Sequence, residues 1–115
     1  MMVHFLFSYG TLQLEKVQLE SFGRKLVGKP DRLYSYKLGQ LVITDPSVLE
    51  KSNQTVHPIA IKTNDSKDFI EGMIFEITEN ELKQADNYEV DDYQRIFELF
   101  ESGQTAWIYV KKEMV

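Results

Sequence analysis

The segment from Met2 to Tyr9 constrains the fold of this chain more than any other. Val3, Phe5, Phe7 and Tyr9 alternate with His4, Leu6 and Ser8, which is the two-residue period of a strand. Most positions on both sides of it are apolar. A strand with one wet face would alternate apolar with polar, so this pattern suits a strand covered on two faces. It stops at Gly10, a residue that permits the tight turn needed before Thr11 can cap a helix.

From Leu12 to about Phe22 the helix formers Leu, Gln, Glu and Lys dominate. At 100° per residue Leu12, Leu19 and Phe22 fall on one side and Leu14 and Val17 on the other, leaving open whether the second apolar face meets the same core, a partner chain or water. Gly23 and Gly28-Lys29-Pro30 are expected to break the helix. The run Leu33, Tyr34, Tyr36, Leu38, Leu41, Val42, Ile43 reads as two strands, or one bent strand, interrupted near Gly39. Asp45-Pro46-Ser47 reads as a turn and Lys51 to Thr55 as a surface loop. Val56 to Ile61 and Phe69 to Ile77 read as further strands joined around Asn64-Asp65-Ser66. Thr78 followed by Glu81 matches a capping box, so a short helix is expected to begin there, carry Leu82 and Ala85 inward and end near Asn87. Tyr93 to Phe100 and Gln104 to Lys111, separated by Glu101-Ser102-Gly103, form a terminal hairpin pattern. This order of elements indicates an α+β domain with a mixed, strongly curved sheet.

A chain of 115 residues, 43% hydrophobic and 27% charged, fits one compact domain spanning residues 1–115. The absence of cysteine removes thiolate nucleophiles, sulfur-bound zinc and disulfides together, and makes a reducing cytoplasm the default location. Two histidines, His4 and His57, are too few for a histidine metal site, so no metal is expected. No apolar run approaches the roughly 20 residues of a membrane span, and Met1 to Phe7 is neither basic nor followed by a small-residue cleavage site. A net charge of -5 disfavours nucleic acid, which needs clustered cations. Neither nucleic acid nor a membrane is expected as a partner, and the sequence is silent on oligomeric state beyond the second apolar face of the first helix.

Two places can carry chemistry. At Tyr9-Gly10-Thr11-Leu12 a strand ends in a glycine and opens a helix, where unpaired amides and the positive end of the helix dipole converge. Such a point binds an anion or a carbonyl oxygen, although the same four residues also read as a plain turn. The spacing of a phosphate loop or a dinucleotide site is lacking. The second place is the stretch from Asp86 to Arg95, with four carboxylates between a helix end and a strand start. Most acid clusters are solvated, and Asp91 and Asp92 read that way. Glu89 follows Tyr88 and precedes Val90 where the chain must turn; partial burial there would raise its pKa toward that of a general base near neutral pH. Asp86 reads as a hydrogen-bond anchor for the turn.

Taken together, Y-G-T-L closing a first strand and a later L-x-x-x-D-x-Y-E-x-x-x-Y-x-R resemble the gamma-glutamylcyclotransferase-like family. Gly72 to Ile77 is similar to that family's G-x-[IV]-[YF]-x-[IV] strand, and the likeness extends through Leu33 to Leu38 and Trp107 to Val110. The resemblance implies a single-domain mixed β-barrel flanked by two short helices, with a cavity between the first loop and the acidic turn. It implies an enzyme acting on a small gamma-glutamyl compound: the α-amino group attacks the side-chain carbonyl, releasing an amine and closing 5-oxoproline, with no cofactor. By the same resemblance Tyr9, Gly10, Thr11 and Leu12 hold the glutamyl part, Glu89 is the catalytic acid and base, and Asp86, Tyr93 and Arg95 shape the site. Val90 stands where the family often has glycine, and Ala85 where it usually has a larger apolar residue. The alternative is a non-catalytic small-molecule-binding or interaction module on the same fold, since a fold does not dictate a function.

Overall fold

Leu6 and Phe7 are neighbours in the chain, and they are buried in two different cores on opposite faces of one sheet. They belong to β1 (Val3–Ser8) of a computed structural model that describes residues 3–42, 56–88 and 93–112. Phe7 packs in the core that includes Leu33, Ile70, Ile74 and Ile108, and Leu6 in the core that includes Phe75, Ile77, Leu82 and Ala85. Both faces of the strand are dry, so its apolar residues stand at consecutive positions.

After β1 come a 3-10 turn (Thr11–Gln13), α1 (Glu15–Phe22), β2 (Val27–Tyr34), β3 (Tyr36–Val42), β4 (Val56–Lys62) and β5 (Phe69–Thr78). They are followed by α2 (Glu79–Tyr88), β6 (Tyr93–Leu99) and β7 (Thr105–Lys111). The strands form one sheet in the order β2-β5-β1-β7-β4-β3, with β6 paired to β7. β1 and β4 run parallel to β7 while the remaining pairs are antiparallel, which makes the sheet mixed. β2 and β3 stand at the two ends of that order, yet only Ser35 separates them in the chain. Ser35 turns the corner with a φ of 68°, held by Ser35 N–H to Asp68 O at 2.9 Å and Thr63 N–H to Ser35 O at 2.8 Å. A sheet whose end strands share one corner has to curl, and this one is strongly curled, an α+β architecture with α1 and α2 beside it.

The start of α2 follows the capping box. Glu81 N–H donates to Thr78 Oγ1 at 3.2 Å, and Thr78 N–H donates to Glu81 Oε1 at 2.8 Å. Leu82 and Ala85 are buried against the sheet, and β6 pairs with β7 as the terminal hairpin, Ile96 opposite Ile108. Gly103 supplies the turn with a φ of 90°.

Three local expectations are corrected. The helix ends at Gly23, as expected, with a φ of 71°, so Gly28-Lys29-Pro30 is not what breaks it and lies inside β2. β2 is an end strand, where the missing N–H of Pro30 is tolerated. Glycine is required at position 28 because a Cβ there would come within 2.5 Å of Phe75 Cδ1 and 2.7 Å of the Ile74 carbonyl oxygen. The interruption expected near Gly39 falls at Ser35 instead, and Gly39 pairs with Ile59 inside β3. Thr11 does not cap α1: the segment from Leu12 divides into a 3-10 turn and an α-helix, with Leu14 at the α-helix N-cap position and no side-chain capping bond. Leu14 and Leu19 are exposed, and the buried residue of α1 is the polar Gln18. The expected Asp45-Pro46-Ser47 turn and the Lys51 to Thr55 loop lie outside the described residues. No helix among the described residues is long and apolar enough to cross a membrane.

Candidate active site

Along one edge β7 changes neighbour, pairing with β1 at Trp107 and with β4 at Val110. Tyr9 stands at that change. Its hydroxyl donates to the Tyr109 carbonyl oxygen at 2.6 Å and accepts from Ala60 N–H at 3.1 Å, so one side chain bonds the backbones of β7 and β4 where β4 takes over from β1. Strands that part leave a crevice, and a cavity of about 100 Å³ lies here. Tyr9, Gly10, Thr11 and Leu12 line it, with Val17 and Phe22 of α1, Pro58 of β4, Ala85 of α2, Tyr93 and Tyr109. The four residues of the first motif therefore do border one space, and its walls are mostly apolar.

The backbone of that loop is shaped by short-range bonds. Gln13 N–H donates to Gly10 O at 3.2 Å and Leu14 N–H to Thr11 O at 2.9 Å. The first amides of the 3-10 turn, those of Thr11 and Leu12, have no acceptor among the described residues. Gly10 has φ -129° and ψ -147°, so it does not use the left-handed freedom of glycine. A Cβ there would make an ordinary contact at 3.7 Å with Pro58 Cγ, across from the loop. The reason for expecting glycine at this position is thus corrected: it keeps space open beside Pro58 rather than permitting a strained turn.

Asp86 and Arg95 come together beside the cavity without lining it. Asp86 Oδ1 accepts from Arg95 Nε at 2.8 Å and from the Tyr109 hydroxyl at 2.7 Å, and Oδ2 accepts from Arg95 Nη2 at 2.9 Å. The Arg95 guanidinium lies 4.2 Å from the centre of the Trp107 ring, a cation-π arrangement that holds its fork flat against β7. Tyr93 reaches the cavity itself, and its hydroxyl donates to Pro58 O at 2.7 Å. These bonds tie the last turn of α2 to β6 and β7, while the turn that Asp86 was expected to anchor lies outside the described residues. Glu89 and Val90 lie outside the described residues, in the connection 89–92 between Tyr88 and Tyr93.

The sequence match that decides the family covers residues 6–114 and carries the description gamma-glutamyl cyclotransferase, AIG2-like. The chain belongs to that family. Solved structures share the gamma-glutamyl cyclotransferase fold with it. A solution structure of an Arabidopsis thaliana protein superposes at TM-score 0.74 with 20% identity, over 96% of this chain and 63% of the other. An uncharacterized Homo sapiens protein gives TM-score 0.75 and 17% identity over 96% of this chain and 68% of its own. A protein described as a gamma-glutamyl cyclotransferase gives 0.69 and 13% over 97% and 68%. These identities speak to the fold, and this chain spans somewhat less than two thirds of the Arabidopsis protein's length. Comparison with curated proteins finds no match.

Two residues at or beside this cavity were given no part in the site by the sequence. Gln18 is 3% exposed, donates from Nε2 to Leu12 O at 2.8 Å and accepts from Leu26 N–H at 2.8 Å. Its signal was available: Gln18 precedes Phe22 by four positions and so shares the apolar side of the helix. Tyr109, which lines the cavity and donates to Asp86, was readable only as one member of an alternating strand, because its partner lies 23 positions away.

Proposed function

We propose that this protein is a gamma-glutamyl cyclotransferase, converting a gamma-glutamyl amine or peptide into 5-oxoproline and a free amine. The single observation that carries the reading is that the cavity beside the Tyr9 to Leu12 loop is also lined by Ala85 and Tyr93, on either side of the connection that contains Glu89.

The chemistry needs few parts. The substrate's α-ammonium gives a proton to the Glu89 carboxylate and becomes a nucleophile. Its nitrogen attacks the δ-carbonyl carbon, a C–N bond forms, and the carbonyl oxygen gains negative charge. The amides of Thr11 and Leu12 are the donors for that oxygen or for the substrate carboxylate. The scissile C–N bond then breaks as Glu89 gives that proton to the departing nitrogen; the new ring nitrogen still carries one hydrogen too many for a lactam, and Glu89 passes this second proton to the released amine, which leaves as an ammonium and restores the carboxylate. A cavity of about 100 Å³ is smaller than the ~150 Å³ cavity that takes one benzene ring, a size suited to the ring-forming atoms with the leaving amine at the mouth. The apolar walls pack the two methylenes, and holding the chain folded converts binding into rate, because the reaction is intramolecular.

The test is to incubate the protein with gamma-glutamyl amino acids, gamma-glutamyl amines and glutathione and to measure 5-oxoproline, then to repeat with Glu89→Gln. Turnover by the native protein and a loss of about 10²-fold or more in kcat in the variant are expected. No turnover of any compound, with a ligand that raises Tm and is never consumed, identifies a binding module instead.

A further inference from the structure

Gln18 is a polar side chain buried in a helix whose other core-facing neighbours are apolar, and a buried amide is retained only where its hydrogen bonds are made. Its two bonds join three separate pieces of chain. The amide nitrogen holds the carbonyl of Leu12 at 2.8 Å, and the amide oxygen holds the N–H of Leu26, the residue before β2, at 2.8 Å. Among the described residues the other hydrogen bonds of the backbone from Gly10 to Gln13 are local: Gly10 N–H to Ser8 Oγ, Gln13 N–H and Nε2 to Gly10 O, and Leu14 N–H to Thr11 O. Among the described residues Gln18 is thus the side chain that hydrogen-bonds the turn to the start of β2, beside the packing of Leu12 against the core that includes Leu6 and Phe75. Leu12 C=O and Gln13 N–H belong to one peptide plane, and that plane is held at both ends, by Gln18 and by Gly10. The planes that contain the preceding amides, those of Thr11 and Leu12, are braced by the bonds to Gly10 O and Thr11 O, so the grip on Leu12 O sets where this locally braced turn sits.

We infer that Gln18 is a positioning residue for the substrate loop: it does not line the cavity, and by gripping the Leu12 carbonyl from beneath it sets where the turn that carries the Thr11 and Leu12 amides sits against the start of β2. This rests on the cyclotransferase reading for its catalytic consequence, and on the geometry alone for its effect on the loop.

Two variants separate the bonds. Gln18→Met keeps the length of the side chain and removes both; Gln18→Glu keeps an acceptor for Leu26 N–H and turns the Leu12 contact repulsive. The readouts are residue-resolved hydrogen exchange and the kinetics of 5-oxoproline release. In both variants the amides of Gln13 and Leu14 are expected to exchange at least about tenfold faster, with Ile96 and Ile108 in the terminal hairpin unchanged. KM is expected to rise about tenfold with kcat changed less than about threefold, the signature of lost ground-state positioning. Leu26 is expected to lose protection in Gln18→Met and keep it in Gln18→Glu. Unchanged loop exchange in either folded variant, or unchanged KM, overturns the inference. If the native protein turns over no gamma-glutamyl compound, the proposed function fails and the exchange measurement alone decides the role of Gln18. If both variants unfold, exchange in the native protein decides: Leu14 and Leu26 opening with one common free energy supports the coupling, and unrelated openings overturn it.

Discussion

The Tyr109 hydroxyl donates to Asp86 Oδ1 at 2.7 Å, and the same oxygen accepts from Arg95 Nε at 2.8 Å. One carboxylate thereby joins the last turn of α2 to the two strands of the terminal hairpin, three residues before Glu89. At the start of β6 the Tyr93 hydroxyl donates to Pro58 O at 2.7 Å, so the described residues on either side of 89–92 are each held by a side-chain hydrogen bond.

Asp86→Asn keeps the shape of this anchor and removes the charge that Arg95 pairs with. A stability loss of about 1–2 kcal/mol is expected, small because the pair is partly exposed, together with a fall of about tenfold in kcat/KM. Urea unfolding and 5-oxoproline release measure the two. Unchanged activity would show that the anchor serves only the fold.

Tyr9→Phe removes the hydroxyl that bonds Tyr109 O and Ala60 N–H at the parting of β1 and β4. Ala60 is fully buried, so its N–H is left without that acceptor, and a cost of about 1–3 kcal/mol is expected in urea unfolding. KM is expected to change less than about threefold. A tenfold rise in KM at unchanged stability would instead make the hydroxyl a substrate contact.

Two glycines are expected to respond in opposite ways. Gly72→Ala places a Cβ 2.3 Å from the Ser8 carbonyl oxygen and 2.7 Å from the Phe7 ring, and should cost about 2–3 kcal/mol, seen as a lower Tm. Gly10→Ala meets only Pro58 Cγ at 3.7 Å and should leave stability within about 0.5 kcal/mol. Because both Gly10 and Pro58 line the cavity, Gly10→Ala is expected to lower kcat/KM about fivefold at unchanged Tm. A matching drop in Tm would place the effect in the fold.

Acid should expose the Glu81 contribution. The Arg24 guanidinium, donating to Glu81 at 2.7 Å, and the Thr78 N–H behind it hold this carboxyl below its ordinary value of 4.5. A folded-state pKa below the unfolded one means that the stabilisation is fully present above the unfolded pKa and is lost as pH falls through the folded one. The stability difference between the native protein and Glu81→Gln is therefore expected to be constant from pH 7 to about pH 5.5 and to shrink below pH 4.5. Urea unfolding along that series measures it; a gap that widens in acid reverses the sign and refutes the assignment.

Much of the architecture was legible because its signals are local. The double-sided apolar run of β1, the Thr78 and Glu81 box and the alternation at Ala106, Ile108 and Val110 each report on residues within a few positions of one another. Gly28-Lys29-Pro30 misled for the same reason: a local breaker signal was overruled by the Phe75 ring and the Ile74 carbonyl, residues nearly fifty positions away that leave no room for a side chain. The helix after Gly10 was read as continuous because the helix formers Leu, Gln, Glu and Lys dominate it, while the turn that divides it is held by Gln18, whose partners at Leu12 and Leu26 become neighbours only on folding.

By itself the sequence determined that β1 would be covered on both faces and that a helix would open after Thr78, since residue types and short spacings suffice for those; what linked Tyr9 to Leu12 with the Asp86 to Arg95 stretch was the family resemblance. Only the tertiary structure decided that β7 exchanges β1 for β4 at Tyr9, opening a cavity there, and that Asp86, Arg95 and Tyr109 meet beside it. The physical reason is that strand order and hydrogen-bond partnership depend on closing loops of tens of residues, and a one-dimensional pattern carries no term for that closure.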